Sequence, residues 1–81
     1  MEILNIPLTA RTSLSSLRLI NPVFGAAAGN SGTVTLYKKG TSAIFLELTK
    51  GTRIQIMGTM DLASFDAYGT GNDVLIVAGI D

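Results

Sequence analysis

The chain has no histidine, no cysteine and no tryptophan, and charged residues make up only 15% of its 81 positions. Each absence closes a class of chemistry. Without His or Cys there is no Ser-His-Asp or Cys-His nucleophile. There is no zinc site built on imidazole or thiolate, no disulfide, and no side chain whose ordinary pKa lies near neutrality. Six basic and six acidic residues cancel to a formal charge of zero. The basic ones, Arg11, Arg18, Lys38, Lys39, Lys50 and Arg53, are scattered. Nucleic-acid binding wants a basic stripe, so no nucleic acid is expected as partner. Lys38-Lys39 reads as the solvated end of a hairpin.

Long apolar runs are missing as well. The longest charge-free stretch, Leu19 to Tyr37, is interrupted by Asn21, Pro22, Gly25, Gly29, Asn30, Ser31 and Gly32. Such a segment does not span a membrane, and no membrane partner is expected. The start of the chain does not read as a signal peptide: Glu2 stands where a basic region belongs, and Pro7 and Arg11 follow too soon. Absence of cysteine fits a reducing cytoplasm, where virus particles also assemble.

What the chain does have is apolar residues, 47% of the total. A domain of this size has a thin core, and small scaffolds often add disulfides, a metal or oligomerisation. With no cysteine or histidine, oligomerisation is the support that remains. The expected organisation is one β domain over 1–81, with 1–10 as a possible N-terminal arm.

Apolar residues alternate in short runs separated by glycine, which is strand punctuation. Ile3 to Leu8 reads as an edge strand, because Pro7 cannot donate to a central ladder. Ser13 to Phe24 reads as a second strand, ended or bent by Pro22, and Gly25 to Gly32 as a loop. Gly32 to Lys38, Ser42 to Thr49 and Thr52 to Met57 follow as strands joined by turns at Lys39-Gly40-Thr41 and Lys50-Gly51, implying consecutive hairpins. In the middle one, Ile44, Leu46 and Leu48 are expected to share a face opposite Phe45. Gly58 to Leu62 is a connection. Ser64 to Tyr68 and Asp73 to Ile80 complete the set around a turn at Gly69-Thr70-Gly71-Asn72. The expected fold is all-β, a small antiparallel sandwich or jelly-roll-like barrel of about seven short strands.

Several strands are apolar on both faces: Phe45 opposes Ile44 and Leu46, and Leu75 and Val77 oppose Val74 and Ile76. An antiparallel sheet normally turns a polar face to water. A closed barrel or a subunit interface accounts for the pattern, and the interface is favoured.

Candidate sites are few. Turn aspartates such as Asp61, Asp66 and Asp73 usually cap backbone amides, so no catalytic pair is expected among them. Gly69 to Leu75 resembles one turn of the calcium-binding nonapeptide repeat, but a single turn cannot build that paired site. The preferred reading is a hairpin whose Asp73 caps the turn, and no metal or cofactor is expected; a calcium site from Asp66, Asn72 and Asp73 is the weaker alternative. Gly69-Thr70-Gly71 joins two strands and opens no helix, so it does not cradle phosphate.

Leu17-Arg18-Leu19-Ile20, Ser31-Gly32-Thr33-Val34-Thr35-Leu36-Tyr37, the Gly-Thr-Arg-Ile-Gln-Ile strand from Gly51, Asp61-Leu62-Ala63-Ser64-Phe65 and Gly71 to Gly79 occur in that order. Over roughly residues 17 to 79 the chain resembles small β-sandwich virion proteins of tailed bacteriophages. The resemblance implies a capsid decoration, head-fibre or tail component that forms symmetric oligomers. It does not account for the Ile3 to Leu8 segment. On this reading the protein is a non-enzymatic decoration or cement protein of the virion, assembled in the host cytoplasm. Its partners are itself, with a trimer favoured, and other virion proteins such as the major capsid protein. Ile3, Leu4, Ile6 and Leu8 dock as an arm on a neighbour, while Phe45, Met57, Leu75 and Val77 form the subunit contact. The alternative is a carbohydrate-binding β-module using Tyr37, Asp66, Tyr68, Asn72 and Asp73.

Overall fold

A computed structural model describes residues 2–8, 11–70 and 73–81. The described residues form nine strands: β1 (Glu2–Leu8), β2 (Thr12–Ser13), β3 (Arg18–Ala26), β4 (Val34–Lys38), β5 (Ile44–Leu48), β6 (Arg53–Gln55), β7 (Thr59–Asp61), β8 (Phe65–Tyr68) and β9 (Asp73–Ile80), with one 3₁₀ turn at Leu62–Ser64. They build two antiparallel sheets. One has the order β1-β9-β3-β6, with β7 also paired to β3; the other has the order β2-β8-β4-β5. The all-β expectation is met.

The sheets enclose one core. Phe24, Leu19, Leu75 and Val77 from the first sheet meet Val34, Leu36 and Leu48 from the second, all almost fully buried, with Leu8 and Leu62 closing the ends. The slab measures 29 × 26 × 17 Å, the shape expected of two twisted sheets stacked about 10 Å apart.

Four expectations need correction. The single strand over Ser13 to Phe24 is two strands in different sheets: β2 pairs with β8, and β3 lies against β9. Between them Leu14 dives into the core while its N–H bonds the Phe65 carbonyl at 3.2 Å. Beyond Pro22, β3 does not stop but continues to Ala26. Its pairing with β9 shifts register between Ile20 and Val23, and Asn21 adopts φ 49° there. A bulge absorbs the missing proline N–H, and the Asn21 side chain accepts from the Gly58 N–H at 2.8 Å.

The second correction concerns the hairpins. β4 and β5 form one, turning at Gly40 with φ 71°. At Gly51, φ 79°, the chain instead leaves one sheet for the other, because β6 pairs with β3. These are left-handed conformations that glycine adopts without a steric penalty.

The third is the side-chain parity of β5. Its register against β4 shifts after Leu36, so that Leu46 faces Leu36 but Ile44 faces Tyr37. Phe45 is the extra residue, and its ring leans on Phe65 with centroids 4.7 Å apart. Leu48 is buried whereas Ile44 is 55% exposed, so Ile44, Leu46 and Leu48 do not behave as one face.

The N-terminal segment is no free arm. All seven residues of β1 pair with β9, and Leu8 is in the core. The edge-strand reading stands, since β1 lies at the end of its sheet.

Candidate functional site

Tyr37, Asp66 and Tyr68 lie on the β2-β8-β4-β5 sheet. Tyr37 faces Asp66 across β4 and β8, and Thr35 faces Tyr68. Asp66 is nearly buried. Its carboxylate accepts from the Gly40 N–H at 3.1 Å, the Ser13 hydroxyl at 2.9 Å and Arg11 Nε at 3.1 Å. Arg11 also forms an ion pair with it at 3.0 Å. The same guanidinium lies over the Tyr37 ring, 4.5 Å from its centroid, and donates to the Thr41 carbonyl. Bonding to the Gly40 N–H first, then to Ser13 and Arg11, holds the Asp66 carboxyl below the usual carboxylate range.

Asp73 works elsewhere, opposite Leu8 at the start of β9. It is 1% exposed. It accepts from the Ser31 N–H at 2.7 Å and hydroxyl at 3.1 Å, and from the Thr70 N–H at 3.1 Å and hydroxyl at 3.3 Å. Its pKa is lowered, chiefly by the Ser31 N–H. Capping of the turn by Asp73 is thus present in the geometry. Asp61 repeats the device at the 3₁₀ turn, accepting from the Ala63 N–H at 3.0 Å and the Ser16 hydroxyl at 3.2 Å. The Ala63 bond is the main cause of its lowered pKa. Asn30 completes the set: its amide bonds both the C=O and the N–H of Val74, at 3.0 and 2.8 Å.

These polar groups are occupied in holding loops to strands. The proposed ligand set is not assembled: Tyr37 is covered by Arg11, Asp66 and Asp73 are saturated by internal donors, and Asn72 lies outside the described residues. Tyr68, 44% exposed, is left as a single open ring. Among the described residues no three carboxylates gather in one place.

The loop around Asp73 is tightly fitted. A Cβ placed on Gly32 would lie 2.3 Å from the Thr70 hydroxyl oxygen. Gly32→Ala is therefore expected to destabilise the fold by about 1–3 kcal/mol, the usual cost of overpacking. Adding Thr70→Ala removes the clashing oxygen and is expected to restore part of the loss. Thermal melts of the single and double variants check this; equal melting of Gly32→Ala and wild type refutes it.

The residues expected at a subunit contact separate into three groups. Ile3 and Met57 are exposed, at 62% and 75%. Leu4, Ile6 and Phe45 are half-buried against the core. Leu8, Leu75 and Val77 are fully buried; they belong to this chain's own core and cannot meet a neighbour. The parity of β9 is the reason. Gly79 shares a face with Leu75 and Val77, and a Cβ there would lie 3.1 Å from the Leu19 Cβ. Only that face packs inward, which sends Val74, Ile76 and Ala78 out. The glycine at 79 was the available sequence signal for this parity.

A groove of about 370 Å³ opens between β1 and the segment from Thr12 to Leu17. Leu4, Ile6, Leu14, Leu17 and Leu62 supply its apolar lining, with serine and threonine hydroxyls beside them. The broad outer faces differ more sharply. That of the β2-β8-β4-β5 sheet carries Thr35, Tyr37, Glu47, Asp66 and Tyr68, with Ile44 exposed beside Tyr37. That of the other sheet carries Ile3, Val23, Val74, Ile76, Ala78 and Ile80, with Asn5 beside Ile76 and Gln55 and Arg53 along the β6 edge.

No family model matches this chain, and neither a curated protein nor a solved structure matches it.

Proposed function

We propose that this is a structural protein of a tailed-bacteriophage particle, a capsid decoration or cement protein that acts through packing and carries out no reaction. The observation that supports this most is the contrast between the two broad faces. One is mainly polar and carries the Arg11–Asp66–Tyr37 cluster, with Ile44 and Tyr68 exposed beside it. The other is mainly apolar across β1, β9 and β3, with Asn5, Gln55 and Arg53 as its polar members, and its Ile3, Ile20 and Ile80 are exposed. Large exposed apolar surfaces mark association sites. The buried carboxylates of Asp66 and Asp73, each engaged by several donors and held below the usual carboxylate range, brace loops and are unsuited to act as general acids near neutral pH.

The partners on this reading are further copies of the chain and the capsid lattice. The test is addition of the purified protein to tailed-phage capsids that lack a decoration protein, followed by sedimentation. Co-sedimentation in a fixed ratio to capsid subunits is expected. Protein that stays in the supernatant at all ratios overturns the proposal.

A further inference from the structure

Cross-strand register orders the apolar face of the β1-β9-β3-β6 sheet into rows. Ile3 sits beside Ala78, and Ala78 beside Val23. Ile80 sits beside Ile20 one row further along. Three of these side chains stand well out of the surface: Ile3 is 62% exposed, Ile80 53% and Ile20 43%.

Between them the face is hollowed in two places. The first hollow, about 160 Å³, lies over Ala78 and Gly79 beside the bulge at Asn21. The second, about 140 Å³, lies over Gly25 and is bounded by Ile76 and Arg53. Both arise where the outward position holds glycine or alanine. A space of roughly 150 Å³ takes a group the size of benzene, so either hollow has room for the end of an isoleucine.

We infer that this face is covered by the same face of a second copy, related by a two-fold axis; the inference rests on the packing role proposed above and names its partner. Three observations select that occupant. The face carries both the projecting isoleucines and the hollows that would receive them, and a two-fold interface sets one patch against itself. Charge does not oppose the pairing. Among the described residues of the β1, β9 and β6 rows on this face Arg53 is the one charge, while Arg18 stands beside the oppositely charged Asp61 in the β3–β7 register. Size permits it: the broad dimensions of the whole molecule, 29 by 26 Å, bound either face at roughly the 800 Å² that each partner contributes to a standard interface. A two-fold pair replaces the trimer expected from the sequence, because a two-fold axis sets the projecting isoleucines and the hollows of one patch against the same patch of the partner.

The test is light scattering coupled to size-exclusion chromatography on the full chain at about 100 μM, with far-UV circular dichroism as a check of folding. The wild type is expected at twice the 8.5 kDa chain mass. The exposed double variant Ile3→Glu, Ile80→Glu is expected at the single-chain mass with an unchanged spectrum. Tyr68→Glu, on the opposite face, is expected to keep the doubled mass. A wild-type monomer, a mass three times that of the chain, or a folded double variant that stays paired overturns the inference. A monomer that still sediments with capsids overturns the pairing alone. A pair that ignores capsids supports the pairing and overturns the particle role.

Discussion

Phe24→Ala is expected to remove most of the stability of this domain. Phe24 is 0% exposed and is the largest of the fully buried side chains. On β3 it faces Val77 on one side and Ile54 on the other. Truncating a buried phenylalanine costs about 3–5 kcal/mol, from lost transfer energy and the cavity left behind. A domain of 81 residues has roughly 4–12 kcal/mol in total at the usual stability per residue. The melting temperature is expected to drop by roughly 15–30 °C, read by circular dichroism. A fall under about 5 °C would mean that the core collapses around the vacancy. Leu75→Asp is expected to act in the same direction: it places a carboxylate in the core and unfolds the monomer instead of separating subunits.

Acid is expected to unfold the protein through its three loop-bracing carboxylates. Asp61, Asp66 and Asp73 each have a folded pKa lowered by hydrogen bonds to their ionised form, the largest contributions coming from the N–H groups of Ala63, Gly40 and Ser31. A lowered folded pKa means that the unfolded chain takes up protons first as pH falls. The stabilisation is complete above the unfolded value of about 3.9 and drains away as pH drops through it towards the folded values. Melting temperature is therefore expected to be level from about pH 5 to 7 and to fall steeply between about pH 4 and 2. Asp73→Asn is expected to lower stability at neutral pH, since a neutral acceptor bonds the Ser31 and Thr70 donors more weakly. It is also expected to flatten the acid limb. An acid limb as steep in Asp73→Asn as in wild type would assign the acid sensitivity to other groups.

Both effects depend on residues whose roles were visible to different degrees in the chain. The turns at Gly40 and Gly51, the edge placement of Ile3 to Leu8 and the capping by Asp73 were legible, because each follows from local chemistry: glycine at positive φ, proline without an N–H, a carboxylate within reach of nearby amides. Asp66 was read as a turn aspartate but lies within β8, and its partner Arg11, 55 positions away in sequence, gave no local signal. Asn30 gave no signal at all, since its amide serves Val74, 44 positions further on.

The interface assignment turned on β9. Val74, Ile76, Ala78 and Ile80 alternate with Leu75, Val77 and Gly79, and both sets are free of charge. Period-2 alternation identifies two faces but does not choose between them when both are apolar. The choice came from packing: Leu19 and Pro22 lie so close to Gly79 that a Cβ there would be crowded, and Asp73 is tolerated inside because Ser31 and Thr70 satisfy it. Composition and local pattern thus suffice for an all-β domain without thiol or imidazole side chains. The assignment of strands to sheets, the bulges at Asn21 and Phe45, and the side of β9 that meets solvent depend on contacts between distant segments, whose energies no local window contains.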